Sequence, residues 1–231
     1  MIEFDYVKRN YCELREHIAR ISLRVGVPES VLVSVTKSGS DEELVALVRA
    51  GAADIGENRP QELSRRGELL LSHGLSPALH EIGNLQSNKA KLVAPIAALT
   101  HSLASESLAI ALEREGVRLG RSIPVLIEIN SAREAQKGGI MPEDAESFLV
   151  KMREYPHLEI RGLMTMGPAE CEPRELRKYF ALTKRLFDDF NERYGFGSSP
   201  VLSMGMSDSY ECAIEEGSTL VRVGRRLFIK N

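Results

Sequence analysis

A lysine follows the first strongly apolar segment of the chain. Val31 to Val35 read VLVSV, a run typical of a buried strand, and Thr36 and Lys37 come directly after it. The carboxyl ends of parallel strands are where active sites form in barrels. An amine at such a position is either a solvated strand end or a nucleophile that forms a Schiff base with a carbonyl compound. Lys37 is therefore the first candidate for chemistry.

Two later segments have the composition of a phosphate site. GMSDS at 205–209 places Ser207 and Asp208 before a predicted short helix, and VGRR at 223–226 adds a glycine and two guanidinium groups. Free backbone N–H groups at a helix start attract phosphate, although these residues would equally serve as a helix cap. A lysine combined with a phosphate site suits a phosphorylated aldehyde. The candidates are a carbonyl substrate, as in a lysine aldolase, and pyridoxal phosphate.

Helices and short apolar strands alternate along the chain. The first helix, within residues 1–25, shows apolar residues on one face: Val7, Tyr11, Leu14, Ile18 and Ile21. Eight strand candidates follow, at 31–37, 53–56, 79–83, 99–103, 124–130, 160–166, 201–205 and 219–224. Regular βα alternation predicts a parallel sheet, and eight units in this length predict one α/β domain over 1–231, a (β/α)8 TIM-type barrel with an extra N-terminal helix. An open sheet is the alternative, but no dinucleotide or Walker motif supports it.

Composition narrows the classes of function. The formal net charge is −3, and no basic stripe predicts nucleic-acid binding; we expect the Arg65-Arg66 pair to lie on a solvated helix face. No apolar segment approaches the length of a membrane span, and the charged N-terminus lacks a signal-peptide core, which predicts a cytoplasmic protein. Three separated cysteines and five histidines without metal-ligand spacing argue against disulfides and metal sites.

Six motifs together resemble one family. VSVTK at 33–37, IGEN at 55–58, IGNLQSNK at 82–89, RGLMTM at 161–166, LSMGMSDS at 202–209 and GSTLVRVG at 217–224 occur in an order and spacing similar to the pyridoxal phosphate homeostasis protein family. The resemblance spans residues 30 to 228. It implies the barrel of fold-type III pyridoxal phosphate proteins, like the barrel domain of alanine racemase.

The resemblance also implies roles for individual residues. Lys37 would carry pyridoxal 5′-phosphate as an internal aldimine, and Arg222 would face the pyridine nitrogen. Ser207 and the backbone amides of Gly224 and Arg225 would hold the phosphate. The remaining residues implied are Asn58, His80 and Met204, which would line the pocket, and Ser203 on the phosphate side. Arg225 departs from the family, which usually has threonine there.

Three functions fit these residues: a carrier or buffer that maintains pyridoxal phosphate levels, a pyridoxal phosphate-dependent amino-acid racemase, and an aldolase. A permanently charged Arg222 keeps the ring nitrogen unprotonated, which weakens the cofactor as an electron sink. Racemisation also needs an acid opposite Lys37, which alanine racemase takes from a second domain. We expect no such domain here, so His80 and Tyr210 are the substitutes available. We therefore expect a monomeric carrier that has little turnover and supplies apo pyridoxal phosphate enzymes.

Overall fold

The strands close into a barrel. A computed structural model describes residues 4–134, 138–168 and 171–230. The eight strands are β1 (Val31–Val35), β2 (Asp54–Glu57), β3 (Ala78–Glu81), β4 (Leu99–Leu103), β5 (Ile123–Glu128), β6 (Leu158–Met164), β7 (Val201–Ser203) and β8 (Leu220–Val223). All neighbours pair in parallel and in chain order. The barrel closes between β8 and β1, where Arg222 lies beside Val33. The predicted fold class is confirmed.

The helices surround this barrel. They are α1 (Asp5–Val25), α2 (Asp41–Arg49), α3 (Pro60–Ser72), α4 (Ala90–Val93), α5 (Glu106–Leu119), α6 (Ala145–Met152), α7 (Pro173–Tyr194) and α8 (Tyr210–Glu215). Short 3₁₀ helices cover Ser87–Lys89, Pro142–Asp144 and Arg225–Phe228. Within the described ranges, no helix combines the length and apolarity needed to cross a bilayer.

The extra N-terminal helix is part of the packed structure. The five predicted apolar residues of α1 are all buried. Asn10 on the same helix donates two hydrogen bonds to the far end of the chain, at the carbonyls of Leu227 and Ile229. These bonds tie α1 to the segment that follows β8. Residues 1–3 of the predicted 1–25 segment lie outside the described residues.

Two separate apolar clusters show which side chains point into the barrel. The inner cluster contains Val33, Leu99, Leu126, Met164 and Leu220, and the outer cluster fills the space between strands and helices. Side chains alternate faces along a strand, so residues two apart share a face. This alternation also directs Glu128, Ser203 and Arg222 into the lumen, which is why polar chemistry is found there.

Glu81, at the end of β3, is a fully buried carboxyl on the outer side of the barrel. One oxygen accepts from the Gly83 N–H at 3.1 Å, while the other has no hydrogen-bond partner within the described residues. Burial, with a smaller contribution from Glu57, raises the pKa of Glu81 to about 7. The folded protein therefore holds a proton here that the unfolded chain loses near pH 4.3, roughly the ordinary glutamate pKa.

This shift predicts a pH-dependent stability. Because the folded-state pKa is raised, the stabilisation from the bound proton is complete below about pH 4.3 and is lost as the pH rises through about 7. Glu81→Gln should remove this part of the pH dependence, on the order of 3 kcal/mol, in urea unfolding measured between pH 5 and pH 8. Glu68→Gln, at an exposed position on α3, is the control. If the unfolding free energy of Glu81→Gln varied with pH as steeply as that of the wild type, Glu81 would not be the group responsible.

Candidate functional site

Lys37 lies in the turn that follows β1. Thr36 still pairs with β2, through its N–H to the Gly56 carbonyl at 3.1 Å, and the chain turns at the next residue. Lys37 is exposed. Among the residues that the structure describes, none forms a hydrogen bond or an ion pair with its side chain. Positions 33 and 35 precede it on the lumen-facing side of the strand. The amine is thus carried at the mouth of the barrel, as predicted.

The segments after β7 and β8 meet beside this mouth. Ser207 is buried, and its Oγ accepts from the Gly224 N–H at 3.4 Å. A Cβ on Gly224 would lie 2.8 Å from the Val35 carbonyl oxygen, so only glycine lets this backbone approach β1. Over residues 4–134, 138–168 and 171–230, the backbone N–H groups of Ser207 and Asp208 donate to no carbonyl. This loop therefore offers N–H groups to an anion.

Neither Ser207 nor Asp208, the two possible helix caps, lies in the N-cap position of the following helix. The helix α8 begins at Tyr210, with Ser209 in the N-cap position, and the Ser209 Oγ accepts from the Met206 N–H at 2.9 Å. Asp208 is exposed and forms an ion pair with Arg225, which is also exposed. Ser207 is thereby left available for a ligand, and the Arg225 side chain points to solvent.

Arg222 is the cation inside the barrel. It is buried on β8, and one guanidinium nitrogen donates to Ser203 Oγ, while another donates to the Thr165 carbonyl at 3.1 Å. The resemblance placed Ser203 near the phosphate. In the structure Ser203 contacts Arg222 instead, and this contact favours a role in holding the guanidinium.

A hydrogen-bonded chain continues from Arg222 through the lumen. Ser203 Oγ lies 2.9 Å from His101 Nδ1, His101 Nε2 lies 3.0 Å from His80 Nδ1, and His80 Nε2 lies 3.0 Å from Asp54 Oδ1. A carboxylate only accepts, so His80 carries its proton on Nε2. Each remaining hydrogen bond then has one donor and one acceptor only if donation proceeds from Arg222 toward Asp54. In that direction Ser203 always presents a lone pair to Arg222.

Burial and two charges set the protonation states in the lumen. Burial lowers the pKa of Arg222 to about 10, and the nearby Glu128 carboxylate partly opposes this shift. Burial likewise holds the pKa of His101 well below its ordinary value, with further lowering by His80 and Arg222. Burial raises the pKa of Glu128, against the effect of Arg222. Arg222 therefore stays cationic at neutral pH, while His101 is neutral.

The other predicted residues differ in where they lie. Asn58 is exposed one residue beyond β2, at the mouth. His80 faces the lumen below it, in the chain that ends on Asp54. Met204 is fully buried in the outer cluster, between the strands and the helices, so its side chain does not reach the lumen. The structure thus brings Lys37, Asn58 and Arg222 together with the Ser207 loop and leaves Met204 apart.

The sequence analysis missed several residues. Arg66 was expected on a solvated helix face, but only Arg65 is exposed; Arg66 is buried, and it donates to Glu57 Oε1 at 2.5 Å. Glu128 and His101 were not singled out either, although their alternation with apolar residues in β5 and β4 places them in the lumen. Over residues 4–134, 138–168 and 171–230, no group of His, Cys, Asp or Glu side chains could hold a metal ion.

Comparison with known proteins first defines the class. The family model for the alanine racemase N-terminal domain matches residues 9–231. Alanine racemase from Corynebacterium glutamicum, at 17% identity, shares the fold with a TM-score of 0.71; the match covers 97% of this chain and 61% of that one. The chain thus belongs to the alanine racemase N-terminal domain family and has its barrel fold.

More similar relatives then identify the family. The pyridoxal phosphate homeostasis protein of Aquifex aeolicus is 35% identical over 225 residues, covering 95% of this chain and 97% of that protein. The protein of the same name from Helicobacter pylori is 36% identical, over 85% of this chain and 86% of its own. This chain belongs to the pyridoxal phosphate homeostasis protein family. The structure of PipY from Synechococcus elongatus with PLP bound is 31% identical, has a TM-score of 0.79 and covers 92% of this chain and 100% of that chain.

Proposed function

We propose that this protein binds pyridoxal 5′-phosphate reversibly at Lys37 and acts in its intracellular homeostasis, as a carrier or buffer with little or no turnover. The observation that supports it best is that an exposed lysine after β1 and the free N–H groups of the Ser207 loop occur at the same end of the barrel. The relatives named for pyridoxal phosphate homeostasis and the PLP-bound PipY structure support the same proposal.

The residues present fit this cofactor. Lys37 supplies the amine for its aldehyde, Ser207 and the Gly224 backbone supply donors for its phosphate, and Arg222 supplies a donor for its ring nitrogen. Gly224 leaves room where a Cβ would meet the backbone of β1. When bound, pyridoxal phosphate supplies an electrophilic aldehyde and an aromatic ring that accepts electrons. Asn58 and His80 complete the proposed binding set at the mouth and in the lumen.

The chain's own residues are arranged for holding the cofactor. Arg222 is fixed by Ser203 and Thr165 and, through Ser203, by the chain that ends on Asp54. It cannot accept a proton, so it would donate to the ring nitrogen and would keep that nitrogen unprotonated. The Lys37 amine is exposed at the mouth, where ligands can reach it from solvent. We propose that the protein is a monomer and delivers the cofactor to apo pyridoxal phosphate enzymes.

Selectivity for the phosphorylated form tests the site. Wild-type protein should bind pyridoxal phosphate much more tightly than pyridoxal, because charge-assisted hydrogen bonds hold the phosphate. Ser207→Ala should weaken the binding of pyridoxal phosphate by on the order of 1–2 kcal/mol, roughly tenfold in Kd, and should leave pyridoxal unaffected. Absorbance titration measures both affinities.

Arg225→Ala, in the segment after β8, is the matched comparison. Arg225 pairs with Asp208 at the surface, and its backbone N–H is unaffected by the substitution. We expect the affinity for pyridoxal phosphate to change by less than about twofold, as is usual for exposed ion pairs. Equal affinities of the wild type for pyridoxal and its phosphate would show that the phosphate is bound elsewhere.

A further inference from the structure

The turn that carries Lys37 is short, and a hydrogen bond and side-chain packing hold its backbone. The Gly39 N–H donates to the Thr36 carbonyl at 2.9 Å, which closes the turn around Lys37 and Ser38. Both of these residues are exposed. Gly39 packs against the ring of Phe228, and a Cβ at Gly39 would lie 2.6 Å from that ring. The backbone of the turn is therefore held, while the lysine side chain is not.

A single guanidinium binds both carbonyls that flank Lys37. Arg66, on α3, donates from one terminal nitrogen to the Thr36 carbonyl at 2.5 Å and from the other to the Gly39 carbonyl at 2.7 Å. Its side chain is only 8% exposed. These two carbonyls lie one residue before and two residues after the lysine. The planar, two-pronged guanidinium matches this pair of acceptors in a way that an ammonium does not.

A buried carboxylate completes the arrangement. Glu57, at the end of β2, accepts from Arg66 at 2.5 Å and from the Thr36 hydroxyl, and its side chain is 2% exposed. Glu57 offsets the charge of Arg66 and also bonds the turn directly. The turn is thus joined to α3 and β2, which are elements distinct from the Ser207 loop.

We propose that Arg66 is a positioning residue for Lys37, which fixes the turn so that the amine stays within reach of a bound aldehyde. The proposal rests on the proposed function. Arg66 touches no atom of the ligand in this role and acts only through the turn. It follows that losing Arg66 should impair bonding to the aldehyde and should leave recognition of the phosphate and the ring intact.

The test uses two ligands that differ only at the reacting carbon. Pyridoxal phosphate has the aldehyde, whereas 4-deoxypyridoxine 5′-phosphate keeps the ring and the phosphate but cannot react with Lys37. Arg66→Met should weaken pyridoxal phosphate binding about 10- to 100-fold, because the amine loses its fixed position, and should change the analogue's affinity less than about twofold. Arg66→Lys keeps the charge beside Glu57 but cannot bridge both carbonyls, so we expect an intermediate loss. Fluorescence titration measures both ligands.

The neighbouring arginine provides the matched control. Arg65 is exposed and pairs with Asp41 and Glu62 on the surface, so Arg65→Met should alter neither affinity. Hydrogen exchange of the ligand-free protein adds a second measurement. The Gly39 amide should exchange at least about tenfold faster in the Arg66 variants than in Arg65→Met, because the turn opens locally.

Each outcome decides the proposal. An equal loss of affinity for both ligands would reduce Arg66 to a general structural role, and an unchanged Gly39 exchange rate would show that the turn does not depend on it. If Arg66→Met does not fold, the same comparisons apply to Arg66→Lys. Failure of the wild type to bind either ligand would overturn the proposed function alone, since the exchange measurement on ligand-free protein still tests how Arg66 holds the turn.

Discussion

Lys37→Ala should abolish covalent capture of pyridoxal phosphate. Wild-type protein with the cofactor should show an absorption band near about 420 nm, as expected of a Schiff base, and borohydride should fix the cofactor to Lys37. In the variant the band should be absent, and peptide mapping should find no specific label. The effect is large because the substitution removes the bond itself, while the phosphate and ring contacts of Ser207 and Arg222 remain.

The control for this prediction is another lysine that follows a strand, β3, which is separated from β1 by β2. Lys89 ends the 3₁₀ helix that follows β3 and is half-buried. Lys89→Ala should keep the band and the label on Lys37. A band that persists in Lys37→Ala, or label found on Lys89 in the wild-type protein, would show that Lys37 is not the residue that bonds the cofactor. Weak, noncovalent binding that remains in Lys37→Ala is expected, since the phosphate donors are intact.

The order of strands and the position of Lys37 could be predicted from local sequence patterns. Alternating apolar residues within each strand, and helical periodicity between strands, are properties of neighbours in the chain. The capping box at Ser40 and Glu43, present in the structure, is likewise local. Lys37 follows from the same reasoning, because it comes directly after the apolar run that predicts the first strand. Most strands end earlier than predicted, as β7 does at Ser203, whereas β4 ends at Leu103 as predicted and β2 ends one residue later, at Glu57.

The positions of Arg66 and Met204 could not be predicted in this way. Adjacent helix residues differ by about 100° around the axis, so the two arginines of the 65–66 pair need not share an environment. Which one is inward depends on where α3 packs on β2, and the acceptors at Thr36 and Gly39 are 30 and 27 residues away in the chain. The position of Met204 depends on which β7 residue faces the lumen: because Ser203 does, alternation sends Met204 outward.

The polar chain in the lumen depends on pairing between strands. His80, His101 and Ser203 come from β3, β4 and β7, and they meet only because the closed barrel sets their relative heights. Each residue alone has an ordinary interpretation as a buried side chain. Their connection to Arg222 through Ser203 requires the three-dimensional structure. The same holds for Glu128, whose effect on the pKa of Arg222 crosses from β5 to β8.

The final prediction concerns turnover. Protein loaded with pyridoxal phosphate should not racemise, decarboxylate or transaminate common L-amino acids at an ordinary enzymatic rate, above about 1 s⁻¹. Arg222 keeps its proton, since its pKa is about 10. In the proposed site it would leave the ring nitrogen unprotonated. The negative charge that would develop at the amino acid's α-carbon is then poorly stabilised. Each tenfold loss of rate corresponds to about 1.4 kcal/mol of barrier.

Of the two acids considered from sequence, neither suits a position opposite Lys37. Tyr210 is buried on α8, where its hydroxyl contacts His17 and Arg226, and His80 is engaged with Asp54 and His101. Glu128 is better placed, because β5 lies across an eight-stranded barrel from β1 and its carboxyl has a raised pKa. We therefore expect any residual exchange of α-protons to depend on Glu128.

The measurement is incubation with each L-amino acid in deuterated water, followed by proton NMR for loss of the α-proton and chiral chromatography for the D-form. Slow exchange without accumulation of the D-form is expected, and Glu128→Gln should reduce that exchange further. Racemisation above about 1 s⁻¹ would overturn the proposal of a carrier. If Glu128→Gln then abolished that activity, the barrel would hold both of its acid/base groups, Lys37 and Glu128, on opposite strands of one domain. A barrel of this family would then need no second domain to act on both faces of its ligand.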